Sequence, residues 1–163
     1  MAAGGDGKIY LYDEVTRQQI AAMYGNGLKT PGHQLQVFST RYLPNDNNIL
    51  LTGGWDRTIK IYDTRCKYPV DNFLGPMICA DALDVADDTI IAGSNRQEKP
   101  LTLFSLNMRK KILDIEFENP HVRDKTAGYV LGARFSKDKD SSVFFVCGAG
   151  KNEFRVYDND TDH

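Results

Sequence analysis

The sequence contains no apolar stretch near the roughly 20 residues that a membrane-spanning helix needs. Residues 1–10 also lack the basic and apolar regions of a secretory signal. Charge of one sign is missing as well, because 20 Lys and Arg are balanced by 22 Asp and Glu. The chain therefore offers no overall electrostatic attraction for nucleic acid or an anionic membrane. These absences predict a cytoplasmic protein, with the cytoskeleton as the alternative setting.

Cysteine and histidine are also scarce. The three Cys residues are odd in number and far apart, and Cys79 and Cys147 stand in apolar strand contexts. We therefore expect reduced thiols that act as small core hydrophobes. The three His residues are too scattered for a ligand set. No metal site, cofactor or catalytic residue is predicted.

One sequence pattern occurs four times along the chain. Its clearest copy, NILLTGGWDRTIKIYD, occupies residues 48–63, and echoes occur at residues 4–13, 90–105 and 145–158. The copies are aligned on four equivalent residues, which are Ile9, Ile59, Leu101 and Phe154. The spacings are then 50, 42 and 53 residues. Periods of this size indicate stacked supersecondary units.

The columns of the repeat predict β-strands. The first and third positions are always apolar, as Ile9 and Leu11, Ile59 and Ile61, Leu101 and Leu103, and Phe154 and Val156. This alternation is typical of a strand with one buried face. An aromatic residue and then Asp or Ser end each strand: Tyr12-Asp13, Tyr62-Asp63, Phe104-Ser105 and Tyr157-Asp158. With the neighbouring apolar runs and turn signals, the pattern predicts an all-β fold of antiparallel meanders.

In the clearest copy, we expect a first strand over about residues 36–43, a second that ends at 52, a third that ends at 62 and a fourth over 70–74. The next copy is expected to begin with a strand over 77–85 and to end with one over 111–118.

These units resemble the WD-repeat β-propeller family. Gly32-His33 stands where the family's Gly-His opens a repeat, and Tyr62-Asp63 stands where Trp-Asp closes its third strand. The resemblance covers nearly all of the chain and implies part of a β-propeller built from four-stranded antiparallel blades. The implied units are a partial blade at 1–24, blades at 33–74 and 77–118, and a partial blade at 128–159. Residues 73–85, together with Gly54-Trp55-Asp56, are also similar to a little-studied group of single-propeller WD-repeat proteins of microbial eukaryotes.

The resemblance also implies a structural hydrogen-bond network made by His33, Thr52, Asp56 and Tyr62. A buried carboxylate must be satisfied, and an imidazole N–H and turn amides can do so. We expect a scaffolding role for these residues. The turn Asp recurs as Asp6, but an insertion at 95–99 and Lys151 take its place in the later copies.

The function implied by the resemblance is a non-enzymatic protein–protein interaction module or scaffold that binds other proteins or peptides. The expected docking face carries the inter-blade loops and the turns before the third strands. Its candidates are Trp55, Arg57, Arg96, Lys99 and Lys151, with longer loops at 26–33 and 121–126. Trp55 is the first choice because it is the only Trp and stands in a tight turn. Packing between blades is the equally weighted alternative for it.

Two other functions stay open at this stage. One is a structural component of the cytoskeleton or cilium. The less favoured one is a propeller-fold enzyme, which would need acids, His residues or a metal set that converge in the central channel.

Ring completion is the last expectation from the sequence. Complete propellers usually have 4 to 8 blades of roughly 40 to 45 residues. Either the rest of a longer native chain or a second copy is expected to complete the ring. In the second case, the partial blades of two copies would combine into hybrid blades, for about six blades in a dimer.

Overall fold

The structure is a computed structural model, and it describes residues 2–27, 29–96, 99–115, 129–149 and 154–159. All regular structure in these residues is β-strand, and the strands form four separate antiparallel sheets. The all-β prediction is therefore confirmed. Lys151 and the loop at 121–126 lie outside the described residues.

Each sheet is a meander, because neighbouring strands in the sheet are consecutive in the chain. Sheet 1 comprises β1 (Ala2–Ala3), β2 (Ile9–Tyr12) and β3 (Gln19–Met23). Sheet 2 comprises β4 (Val37–Leu43), β5 (Asp46–Gly54), β6 (Thr58–Asp63) and β7 (Pro69–Leu74).

The second half of the chain repeats this arrangement. Sheet 3 comprises β8 (Leu83–Ala86), β9 (Thr89–Gly93), β10 (Leu101–Ser105) and β11 (Lys110–Ile115). Sheet 4 comprises β12 (Tyr129–Phe135), β13 (Val143–Ala149) and β14 (Phe154–Asp158).

The core consists of three apolar clusters, one between each pair of consecutive sheets. In the first, sheet 1 meets sheet 2 through Ile9, Leu11, Met23, Val37, Leu50 and Tyr62. In the second, β6 of sheet 2 packs on sheet 3, and in the third, β10 of sheet 3 packs on sheet 4. The apolar stripe of the repeat is thus buried in the first three copies. Sheets that stack face to face in sequence order are the blades of a propeller-type fold.

In sheets 1, 2 and 3, the turn that follows the third strand of the repeat is stabilised by the last residue of the repeat. Asp13 accepts a hydrogen bond from the backbone N–H of Thr16, and Asp63 accepts one from Arg65. In sheet 3, the hydroxyl of Ser105 accepts one from the N–H of Met108. Side chains that bond to the following backbone are what the Asp and Ser column predicts.

The strand expected over 77–85 is wrong in its first half, because β8 begins only at Leu83. Pro76 has no N–H to donate to a ladder. The backbone N–H of Ile78 donates to the carbonyl of Gly54 instead, and Met77 accepts from Asn95. This segment is a connection between sheets 2 and 3, and its apolar Ile78 fills the cluster between them.

The described residues contain no helix that is long and apolar enough to span a membrane.

Candidate functional site

His33, Thr52 and Asp56 form a hydrogen-bonded chain at one end of sheet 2. His33 precedes β4, Thr52 lies in β5, and Asp56 lies in the turn before β6. The His33 Nδ1 atom is 2.9 Å from Asp56 Oδ2, and its Nε2 atom is 2.7 Å from Thr52 Oγ1. The side chain of His33 is fully buried and that of Asp56 is 7% exposed. The contacts therefore join the entry of the first strand to the turn before the third.

Asp56 has several donors besides His33. Its carboxylate accepts hydrogen bonds from the N–H of Gln34 at 3.0 Å and from the hydroxyl of Thr58 at 2.7 Å. Burial by itself would raise the pKa of Asp56, but the hydrogen bond and charge of His33, together with Thr58 and Gln34, hold the pKa at about 2. The carboxylate is thus ionised at neutral pH and fixes the turn.

Tyr62 departs from the network expected for it. Its side chain is fully buried, and its hydroxyl makes no well-formed hydrogen bond among the described residues, although the backbone of His33 lies close enough to lower the pKa of Tyr62 in part. Burial raises the pKa of Tyr62 to about 12. The reason lies in the packing: the ring fills the cluster between sheets 1 and 2, so Tyr62 contributes as an apolar residue.

The equivalent turns in the other sheets use other means. In sheet 1, Asp6 accepts from the hydroxyl of Tyr10 at 2.7 Å, and this bond lowers the pKa of Asp6. In sheet 3, the hydroxyl of Ser94 accepts from the N–H of Met77 at 3.0 Å, and Ser94 N–H donates to the carbonyl of Pro100. The His and Asp pair belongs to sheet 2 within the part of the chain that is described.

Trp55 lies at the surface of the same turn, next to Phe38. The ring centroids are 5.4 Å apart, and the two residues are 40% and 37% exposed. The backbone N–H of Trp55 donates to the carbonyl of Gln36 at 3.0 Å, which ties the turn to the chain just before β4. We call Trp55 and Phe38 the aromatic patch. The sequence analysis missed Phe38. Its exposure follows from the alternation along β4, in which the neighbouring Val37 and Ser39 are buried.

The turns of sheets 1, 2 and 3 share an unusual backbone feature. Gly7, Arg57 and Lys99 each stand two residues before the first apolar position of the repeat, and their φ values are 75°, 62° and 57°. This left-handed conformation costs little for Gly but disfavours Arg and Lys. Strain of this kind in non-glycine residues is typical of binding sites. Arg57 and Lys99 are both exposed, as basic residues that project from equivalent turns.

The other basic candidates are less closely associated with the aromatic patch. Arg96 is half-buried and belongs to the loop of sheet 3. Lys99 in the same loop forms an ion pair with Asp114 at 2.9 Å. Arg96 and Lys99 thus share a loop, while Trp55 and Arg57 share the turn of sheet 2.

The predicted loop at 26–33 borders an open cleft next to sheet 1. Asn26 N–H donates to the carbonyl of Thr30 at 2.8 Å, which closes the loop on itself. The cleft has a volume of about 650 Å³ and is lined by this loop and by Asp6, Gly7 and Lys8. The lining includes Gln34, whose N–H donates to Asp56, so the cleft adjoins the hydrogen-bonded chain.

A charged cluster, which sequence reasoning also missed, links the first strands of sheets 2, 3 and 4. Asp81, just before β8, contacts Arg41 of β4 at 2.6 Å and forms an ion pair with Arg134 of β12. The buried Asp84 accepts from the N–H of Phe135 at 3.0 Å. These contacts hold consecutive sheets together, and each carboxylate has basic or amide partners.

The described His, Cys, Asp and Glu residues were considered as possible metal ligands. No group of three among these described residues could hold a metal ion. Cys66, Cys79 and Cys147 are free thiols. The expectation of a core position is wrong for Cys79, which is only half-buried in the connection before β8. It is also wrong for Cys147, which is exposed because no further described sheet packs on its face of β13.

Comparisons with known proteins agree with this architecture. The crystal structure of the computationally designed Ika4 protein is similar, with a TM-score of 0.69 and 15% sequence identity, over 96% of this chain and 82% of that one. This likeness concerns the fold, which is that of a β-propeller built from antiparallel blades. Residues 26–63 match the family model described as WD domain, G-beta repeat. The segment with His33, Thr52 and Asp56 therefore matches a WD repeat, and the predicted propeller fold is confirmed.

No curated protein matches the chain. WD repeats generally mediate protein–protein interactions, and the family is typically non-enzymatic.

Proposed function

We propose that this protein is an interaction module that binds a peptide or protein segment on the face that carries the turn between β5 and β6. The observation that carries the proposal is the aromatic patch, in which the ring of an exposed Trp contacts that of an exposed Phe at a tilted angle. Trp is among the residues that contribute most to binding energy at protein interfaces.

The turn beneath the patch is held rigidly. Asp56 follows Trp55 directly and is bonded to His33, Gln34 and Thr58. A side chain that is already held in place loses less conformational entropy when a partner binds. Recognition residues on loops above a rigid scaffold follow the same principle.

The charge around the patch favours a partner with acidic side chains next to an apolar anchor. Arg57 is exposed two residues after Trp55 and places a positive charge beside the patch. Basic residues at the rim increase the association rate of an acidic segment and select its orientation.

The proposal is tested with a peptide selected from a random library by the wild-type chain. Because Trp55 is the only Trp, its fluorescence reports binding at this turn without a label. Phe38→Ala removes half of the patch and keeps the reporter. We expect the Kd to rise about tenfold or more, as for an interface residue that contributes more than about 1 kcal/mol.

Tyr42→Ala is the matched control. Tyr42 is also an aromatic residue of β4 and is 41% exposed, but it lies toward the opposite end of the strand. We expect its variant to bind like the wild type. Equal affinity of Phe38→Ala and wild type, or equal losses in both variants, would contradict the proposed docking face.

A further inference from the structure

Every interface between consecutive sheets joins two different surfaces. The leading face is formed by the first and third positions of the third strand, such as Ile59 and Ile61 in sheet 2. The trailing face of the next sheet includes the aromatic fourth position, such as Phe104 in sheet 3, which lies in the same cluster. Tyr62 has this role toward sheet 1, where it packs with Ile9 and Leu11.

No described residue outside sheet 4 covers the leading face of this sheet. Its first and third positions, Phe154 and Val156, are 65% and 54% exposed, whereas Ile59 and Leu101 at the first position are fully buried. Phe145 stacks on Phe154, with ring centroids 5.9 Å apart, so this face is a continuous apolar surface. The exposure is thus a property of the whole face.

In the part of the chain that the structure describes, the trailing face of sheet 1 is uncovered too. Tyr12 holds the position of Tyr62 and Phe104 and is 45% exposed, whereas those two residues are at most 3% exposed. Ile20 of the neighbouring strand β3 is 68% exposed. The three apolar clusters of the described residues join sheets 1 to 2, 2 to 3 and 3 to 4, and none of them joins sheet 4 to sheet 1.

We infer that the chain pairs with a second copy of itself, in which the leading face of sheet 4 in each copy packs on the trailing face of sheet 1 in the other. The three internal interfaces carry this inference, because each brings the same leading columns onto the same trailing columns. A two-fold axis then satisfies both open faces of both copies, and the contact closes without leaving a free end.

The arrangement differs from the hybrid blades expected from the sequence. Sheet 4 already contains its second and third strands as β13 and β14, and sheet 1 contains their equivalents as β1 and β2. Sharing one blade would duplicate those strands, so whole sheets stack instead. Two copies contribute twice the four sheets of one chain, which is within the 4 to 8 blades usual for propellers.

Sedimentation velocity over a wide concentration range tests the inference. The wild-type chain of 18.3 kDa is expected at twice that mass. Val156→Glu places a charge on the leading face of sheet 4 and is expected to halve the mass. Tyr12→Glu does the same on the trailing face of sheet 1. Leu74→Glu is the control, because Leu74 is 72% exposed on the outer strand β7 and is expected to leave the dimer intact.

Mixing the two variants separates this pairing from other kinds of dimer. A Val156→Glu chain and a Tyr12→Glu chain together retain one intact leading and trailing pair, so the mixture is expected to regain the double mass. Pairing of two identical faces would leave one of the single variants dimeric. A monomeric wild type, an open-ended polymer, or a dimer that survives Val156→Glu would each overturn the inference.

Discussion

Sheets 2 and 3 have the same strand order and a similarly buried third strand, yet they hold the turn before that strand in different ways. Sheet 2 uses the side chains of His33 and Asp56, whereas sheet 3 uses the hydroxyl of Ser94 and backbone bonds through Met77 and Pro100. The apolar positions Ile59 and Leu101 are nevertheless both fully buried.

The comparison shows which requirement each sheet must meet. The apolar columns recur because every sheet must bury its face on the next one, and such burial is the dominant favourable term in folding. The turn needs only some partner for its polar groups, and different chemistry can provide it. The family model matches residues 26–63, the segment that contains His33 and Asp56.

The largest effect is expected from the columns that both sheets share. Leu51→Ala and Ile91→Ala each remove a fully buried side chain from an inter-sheet cluster. Each should reduce the free energy of unfolding by about 3 to 4 kcal/mol, through lost burial and the cavity that remains. Urea denaturation measures both, with Val15→Ala as a control because Val15 is 91% exposed. A loss in only one of the two sheets would break the equivalence.

A smaller effect is expected at the turns, where the sheets differ. His33→Ala leaves the buried carboxylate of Asp56 without its imidazole partner and should reduce the free energy of unfolding by about 2 to 3 kcal/mol. Ser94→Ala removes a single neutral hydrogen bond in sheet 3 and should cost about 1 kcal/mol. Thermal unfolding of both variants gives the comparison. Equal losses would mean that the His and Asp pair has no special weight.

The pH dependence of the free energy of unfolding should also distinguish the turn of sheet 2 from that of sheet 3. The pKa of Asp56 is lowered to about 2 in the folded state, so the ionised form stabilises the fold. That stabilisation is present above the unfolded pKa of about 4 and is lost as the pH falls through about 2. The free energy of unfolding of the wild type is expected to exceed that of Asp56→Asn at pH 5. This difference should decrease by about 1 to 2 kcal/mol as the pH is lowered from 5 to below about 2. Denaturant titrations at several pH values measure it, and a constant difference would contradict the assignment.

The smallest effect is expected where sheet 2 is made more like sheet 3. Tyr62→Phe gives sheet 2 the residue type of Phe104 at the equivalent position. Because the buried Tyr62 hydroxyl makes no well-formed hydrogen bond among the described residues, its removal should leave stability unchanged or raise it by up to about 1 kcal/mol. A loss of more than about 1 kcal/mol in chemical denaturation would reveal a partner for the phenol and return Tyr62 to the network.

The sequence predicts the third strands well, because alternation along β6, β10 and β14 is local and strong. It is misleading at 77–82, where apolar residues fill the core from a connection. Pro76 is the available signal against a strand there, since it cannot donate to a ladder.

The candidate site is only partly readable from the sequence. His33, Thr52 and Asp56 follow from the resemblance to a known repeat. A left-handed turn residue can be expected from the sequence at Gly7, because Gly adopts this conformation readily. The sequence does not indicate it at Arg57 or Lys99, because their side chains disfavour that conformation.

The charged cluster is the least predictable feature. Asp81 meets Arg41 and Arg134 across 40 and 53 residues of sequence. Only the stacking of the sheets brings these residues together, so no local pattern could indicate the contact.

Hydrogen exchange of backbone amides in β6 and β10 tests most directly the claim that shared packing, and not the shared turn chemistry, unites the sheets. The account predicts similar protection for the amides of Ile61 and Leu103, at equivalent positions of the two strands, although only β6 follows a turn with the His and Asp pair. Protection in β6 together with early exchange throughout β10 would contradict it, because the side-chain network would then be what makes a sheet stable.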